Sequence, residues 1–392
     1  MKLNISALKK ATEDAARFCG DKRSLPILRH LRLTANKEAG TLQIEAYDLD
    51  NYFSRILRGS DIAADFVALV PCENMMKVAK HLTGSTVELS FADSTLRLSG
   101  ELSYSIKNAA DPEDYPVLAT PAEEREIPLL PREFFSHLAA LLPFTTDESY
   151  NREYSGVLID PAEGIEEGLS LVATDIHRVS VVTLKDVQTP YPFVLPASAI
   201  PALTKIFMYE RLTRVSAFTD PKPADPEKKE EEVPAQPEFQ PKAVRFASEE
   251  TIVQIRVRKS EFPNYRNIVP RPMSPLGHKI ETDSFLKKVK GILTFADRKI
   301  PPAQLFFDAG SVTLTSRDEA ANEVTTKIPV VSHPVAAPLK KGVNLRYFVE
   351  ALVAMAGTVQ VSETDPENLC PLILTRETSE FRNLHMVMPL RV

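Results

Sequence analysis

The chain has few cysteines: Cys19, Cys72 and Cys370 form no CxxC pair, and the scattered Asp and His residues show no metal-ligand spacing. A zinc-organised fold and a disulfide scaffold are therefore excluded, and neither metal nor cofactor is expected. No stretch approaches the roughly 18 apolar residues that a membrane span requires. The N-terminal MKLNISALKK lacks the long apolar core of a signal peptide, so the expected location is the reducing cytoplasm, away from membranes. GxSxG, P-loop and HExxH patterns are all missing. Asp175 and His177 stand two apart without a nucleophile in a fitting context, so no enzyme is expected. Positive charge is not in excess either. With 47 Lys and Arg against 53 Asp and Glu, the formal net charge is −6, which excludes a protein that grips nucleic acid across its whole surface.

What is present is a repeat. At 392 residues the chain calls for several cores. Val70-Pro71, Leu130-Pro131 and Leu195-Pro196 each close an extended apolar run and open a helical pattern, where proline suits the first helical position. Helix starts near Ile5, Pro71, Pro131, Pro196, Asp283 and Val343 are separated by 66, 60, 65, 87 and 60 residues. The long interval contains residues 220–242, a stretch of 23 residues with six prolines, seven acids and four bases, too polar to bury anything. Without it the interval is 64 residues and the period returns.

Each unit reads as an amphipathic helix followed by two or three strands: NMMKVAKHL precedes TVELSFAD, TLRLSG and LSYSIKNA, and FLKKVKGILTF precedes AQLFFDAG, SVTLTSRD and EVTTKIPV. Six units pair into three domains, expected at 1–122, 123–264 (carrying the acidic insert in a hairpin) and 265–392. The joints Asp111-Pro112-Glu113-Asp114-Tyr115-Pro116 and Glu261-Phe262-Pro263-Asn264-Tyr265-Arg266 read as extended linkers. Two helices cannot cover both faces of about six strands, so the expected class is α+β, with both helices packed on one side of antiparallel sheets. The six helical stretches hold eleven Lys and Arg against six Asp and Glu, a net of +5, so the remainder carries −11. Such a layer tolerates phosphates without reading bases, although Lys and Arg are also simply good helix formers.

Four strings in order carry a resemblance: Leu25-Pro26-Ile27-Leu28, then Ala173-Thr174-Asp175-Ile176-His177-Arg178, then Phe262-Pro263-Asn264-Tyr265, and the ending Val387-Met388-Pro389-Leu390-Arg391-Val392. Apart from the insert, the whole chain resembles the bacterial sliding clamp family, the beta subunits of DNA polymerase III. The resemblance implies three repeated clamp domains and a head-to-tail homodimer closed into a ring. Helices line the bore, and the ring encircles double-stranded DNA without sequence specificity. Six helices about 10 Å apart enclose too little space for a duplex, whereas twelve leave a bore of roughly 27 Å. Implied partners are the DNA polymerase III alpha subunit, other polymerases and the clamp loader. The alternative is a clamp-like paralogue that serves as a protein-binding scaffold with altered cleft specificity.

The resemblance also implies sites. A hydrophobic peptide-binding cleft would use Thr174, Ile176, His177, Arg178 and Val179, Pro263 and Ile268 at the joint, Asn344 and Tyr347 on the last helix, and Met386, Met388, Pro389, Leu390 and Arg391. Ile176 stands where the family usually has glycine and Tyr154 near a usual leucine, so the cleft would be narrowed or reshaped. DNA contacts would come from Lys22, Arg23, Arg152, Arg298 and Lys299. The ring joint would set Val78, Leu82, Tyr104 and Ile106 of one copy against Leu293 and Phe295 of the next.

Overall fold

A computed structural model describes residues 1–108, 110–146, 152–161, 168–219, 239–258, 262–270, 277–296, 301–308, 310–331, 338–363 and 370–391. Among these, six α-helices occur: α1 (Ile5–Ala15), α2 (Cys72–His81), α3 (Arg132–Leu141), α4 (Ile200–Phe207), α5 (Thr282–Ala296) and α6 (Leu345–Met355). Helix α4 is buried nearly all round, and α1 and α6 each bury one stripe. In α1 the stripe is Ile5, Leu8, Ala11, Thr12 and Ala15, and Asn4 caps the first turn by accepting from the Ala7 N–H. In α6 it is Leu345, Phe348, Ala351, Leu352 and Met355, capped by Asn344 through the Arg346 N–H. All six strands read from the repeat strings are present, at Thr86–Ala92, Thr95–Ser99, Ser103–Lys107, Pro302–Phe307, Ser311–Arg317 and Glu323–Pro329.

The fourth helix begins later than its Leu-Pro signal. Pro196 is the last residue of a strand, paired with Gly156, and Pro201 is the proline that lies in the first turn of α4. The two joints are not purely extended. Each forms a 3-10 turn, Pro112–Asp114 and Tyr265–Asn267, and the first is favoured by the Asp111 side chain accepting from the Glu113 N–H. Each turn pins a buried tyrosine: Tyr115 donates to the His30 carbonyl at 3.3 Å, and Tyr265 to Asp160 at 2.8 Å.

Contacts divide the chain into two compact units, residues 1–132 with 201–259 and residues 133–200 with 260–392. The first holds a four-stranded sheet (Lys2–Asn4, Thr86–Ala92, Thr95–Ser99, Ser103–Lys107) and an eight-stranded one. The eight strands run in the order Phe66–Pro71, His30–Asn36, Thr41–Tyr47, Asn51–Arg58, Thr251–Arg256, Ala243–Ala247, Arg214–Phe218, Glu124–Ile127. Helices α1 and α2 pack on each other, and α1 also lies on strands of the large sheet. The second unit repeats the plan. Its eight strands are Phe193–Pro196, Gly156–Pro161, Leu169–Thr174, Arg178–Leu184, Phe381–Val387, Leu372–Glu377, Thr358–Glu363 and His278–Glu281. Its four-stranded sheet is Glu323–Pro329, Ser311–Arg317, Pro302–Phe307 and Leu339–Asn344. Helices α5 and α6 meet through Phe285 and Phe348, with ring centroids 5.5 Å apart. All pairing is antiparallel. Asn51–Arg58 pairs with Thr251–Arg256, and Arg178–Leu184 with Phe381–Val387, so each large sheet runs across one of the expected domain joints.

The insert joins two paired strands, with Phe218 opposite Ala243. Residues 220–238 lie outside the described residues. Its end departs from the expectation that nothing in it is buried: Phe239 is buried, with the Arg125 guanidinium 4.5 Å from its ring centre. One aromatic ring supplies enough apolar area to anchor the return of an otherwise polar segment.

Candidate functional site

The turn between Leu169–Thr174 and Arg178–Leu184 is built by its own side chains. Asp175 Oδ1 accepts from the His177 and Arg178 N–H groups, each at 3.1 Å, and Thr174 Oγ1 accepts from the Ile176 N–H at 3.2 Å and donates to the Arg178 carbonyl at 2.7 Å. This tight loop forces Ile176 to φ +78°, a left-handed conformation that a β-branched residue adopts at a cost and glycine without one. The side chain of Ile176 remains 53% exposed.

Arg178 is the hub. Its side chain is buried, and its Nε donates to Asp175 at 2.9 Å, one terminal nitrogen donates to Glu350 of α6 at 2.5 Å, and the other donates to the Pro143 carbonyl. The guanidinium plane lies 4.1 Å from the Tyr347 ring centre and 4.6 Å from that of Phe144. A planar, permanently charged fork satisfies this geometry and a lysine does not. Tyr347 also stacks on His177 at 6.2 Å, and partial burial beside Asp175 raises its phenol pKa. The C-terminal segment leaves the sheet here: the Met388 N–H donates to the His177 carbonyl at 3.0 Å and the Leu390 N–H to the Gly342 carbonyl at 2.8 Å.

Strand parity divides the expected cleft residues between two faces of one sheet. Val179 and Met386, paired across the strands, join Leu158, Val172, Val181, Ile373, Leu384 and Tyr265 in a buried apolar cluster, with Phe262 and Val269 packed against it. Thr174, opposite Val179, shares this face. Pro263 and Ile268 belong to the same covering segment, where Ile268 is 53% exposed. Arg178 takes the opposite face, with Tyr347 and the capping Asn344 at the start of α6. Met388, 47% exposed, follows the last strand, with Pro389 bridged to Val343 and Arg391 open to solvent. The second unit thus contains all fourteen residues.

Sequence reasoning missed Phe144, the Pro143 carbonyl and Glu350 as partners of Arg178. It also missed Tyr265, whose phenol is pushed up to about 12 by burial and the Asp160 carboxylate. Tyr265 lies inside a string that carried the resemblance, which was the available signal. Tyr154 is half-buried in the 3-10 turn Arg152–Tyr154, and its carbonyl accepts from the Thr146 N–H.

The other expected contacts are dispersed. Lys22 and Arg23 are exposed on the segment after α1, and Arg23 is paired with Asp21 at 3.0 Å. Arg298, Lys299 and the side chain of Arg152 lie outside the described residues. In the first unit Val78, Leu82 and Ile106 are buried and Tyr104 is half-exposed; in the second, Leu293 is half-buried and Phe295 is 42% exposed. Among the described residues no group of three His, Cys, Asp or Glu side chains could hold a metal ion, and no helix is long and apolar enough to cross a membrane.

Residues 1–119 match the family model described as DNA polymerase III beta subunit, N-terminal domain. The beta sliding clamp of Caulobacter vibrioides is 26% identical over 370 residues, 91% of each chain. The crystal structure of the Bartonella birtlesii sliding clamp bound to griselimycin superposes with a TM-score of 0.82 over 100% of this chain and 99% of that one, at 18% identity. The Caulobacter crescentus beta subunit gives 0.79 over 100% of both chains, at 21% identity. The chain has the sliding-clamp fold. Its resemblance to the bacterial sliding clamp, the beta subunit of DNA polymerase III, thus extends over the whole length. At Ile176 the backbone keeps a conformation suited to glycine.

Proposed function

We propose that this protein is a DNA sliding clamp without catalytic activity of its own. Three domains, 1–122, 123–264 and 265–392, each bring two helices, and two copies close head to tail around duplex DNA. The observation that carries this reading is the charge on the helices. Lys10, Arg17, Lys77, Lys80, Arg132, Lys205, Lys287, Lys288, Lys290 and Arg346 are all exposed, whereas Asp14 is buried against Arg55 and lost to the surface. The exposed helical surface thus keeps its basic excess, in a chain that is acidic overall. The closed ring would retain DNA by topology, so a mildly basic lining suffices and still allows sliding. Among the described residues, the edge strands Ser103–Lys107 and Glu323–Pro329 of the two small sheets have a strand neighbour on one side only. Pairing one with the other on a second copy would satisfy both and close the ring.

The turn at Ile176, the segment Phe262–Val269 and the tail from Met388 frame a docking site for short peptides of the polymerase III alpha subunit, other polymerases and the clamp loader. Exposed Met388 gives an adaptable contact. A second reading, a paralogue acting as a scaffold with altered peptide preference, is favoured by Ile176. Retention on nicked circular DNA with loss after linearisation supports the ring, and equal retention on both sinks it. Deleting Met388–Val392 is expected to abolish binding of polymerase-derived peptides and leave the sedimenting species unchanged. Unaltered peptide affinity would overturn the site assignment.

A further inference from the structure

The fold of the first unit brings together two cysteines that are 53 positions apart. Cys19 follows the 3-10 turn Ala16–Phe18 that extends α1, and Cys72 is the first residue of α2. Strand register accounts for the approach. His30 pairs with Pro71, the residue before Cys72, and the Cys19 thiol faces the His30 carbonyl with Sγ···O at 4.0 Å. Helix α1 packs on α2, and each thiol shifts the titration of the other. Both are reduced; Cys72 is buried and Cys19 half-buried, so solvent reaches the pair from the Cys19 side.

The two sulfurs are chemically unequal. Cys72 opens a ten-residue helix, where free backbone N–H groups favour a thiolate. Interaction with the neighbouring Cys19 thiol holds its pKa below the usual thiol value in spite of burial. The same interaction, burial and the neighbouring charge push the Cys19 thiol up. Its place at the start of α2 thus fits Cys72 to attack, with Cys19 beside it to resolve the product.

We propose that Cys19 and Cys72 form an oxidisable dithiol that a hydroperoxide converts into an intramolecular disulfide. The Cys72 thiolate attacks the O–O bond of hydrogen peroxide; an S–O bond forms, hydroxide leaves and takes up a proton, and Cys72 becomes a sulfenic acid. The Cys19 sulfur then attacks the Cys72 sulfur; the S–S bond forms, the S–O bond breaks, and the departing hydroxyl leaves as water with the Cys19 proton. The two thiols together give up two electrons, and the peroxide ends as two waters. A dithiol reductant reverses the step. The cross-link ties the root of the segment bearing Lys22 and Arg23 to the first turn of α2. This chemistry does not depend on the proposed function.

The test treats the full-length protein with a small excess of hydrogen peroxide and follows free thiols, intact mass and linked peptides. Free thiols are expected to fall from three to one, mass to drop by about 2 Da, and a Cys19–Cys72 peptide to appear. Trypsin should cleave after Lys22 and Arg23 about tenfold more slowly in the oxidised form, since local opening is suppressed. Cys370→Ser should lose both remaining thiols, Cys19→Ser should stop at a trappable sulfenic acid, and Cys72→Ser should do neither. Retention of all three thiols, a link through Cys370 or between chains, or equal inertness of Cys19→Ser and Cys72→Ser would overturn the proposal.

Discussion

Acidification should loosen the second unit through one buried histidine. His385 lies in the strand Phe381–Val387 opposite Ser180, is fully buried, and has its ring 4.9 Å from that of Phe144. Neither ring nitrogen has a hydrogen-bond partner among the described residues. The charged groups that face it are Arg178 on the neighbouring strand and His137 on α3, and both disfavour a second cation. Burial first, and these charges second, push its pKa down to about 3 from 6.5. Between those values the unfolded chain holds a proton that the folded chain refuses, so stability rises with pH through this window and is complete above 6.5. At about 1.4 kcal/mol per pH unit, the loss from neutrality to pH 5 is about 2 kcal/mol, and at pH 4 about 3 kcal/mol. Urea unfolding followed by circular dichroism at pH 7, 6 and 5 measures it. The His385→Leu variant, which fills the site without titrating, should lose most of the difference between pH 7 and pH 5. A variant that keeps the full wild-type slope would refute the reasoning.

The remaining predictions follow from strain, ion pairing and packing. Ile176→Gly should stabilise the protein by about 1 kcal/mol, because the left-handed conformation at φ +78° no longer opposes a side chain; a fall in melting temperature would contradict it. Arg178→Met should cost about 3–5 kcal/mol in the unfolding transition, since Asp175, Glu350 and the Pro143 carbonyl lose their donor, and Arg178→Lys should not rescue it. Arg55→Met should behave alike in the first unit, where Arg55 holds Asp14 at 2.6 Å and also pairs with Glu210. Adding Asp14→Leu should recover part of that loss in a double-mutant cycle. Phe239→Ala should cost about 3 kcal/mol in the same assay if the ring anchors the end of the acidic insert, and nothing if that segment is only solvated.

Local pattern decided a great deal. Apolar spacing marked the six helices, alternation marked the strands of the small sheets, and the proline-rich, acidic composition of residues 220–242 marked the insert, because each signal is carried by near neighbours in the chain. The helical excess of cations is a property of those same segments, and it was legible before any coordinate. The cleft strings were also visible, but not their arrangement. Nothing in the spacing of Val179 and Arg178 says that one joins Met386 in a buried cluster while the other crosses to Tyr347 and Glu350; strand parity and long-range register decide that. The same holds for the sheets that run across the expected joints, for the four-residue delay before α4, and for Cys19 meeting Cys72. A pattern with period two or 3.6 specifies which way a side chain faces along its own element. Which element it then faces depends on contacts between residues far apart in sequence, and only the folded chain makes them.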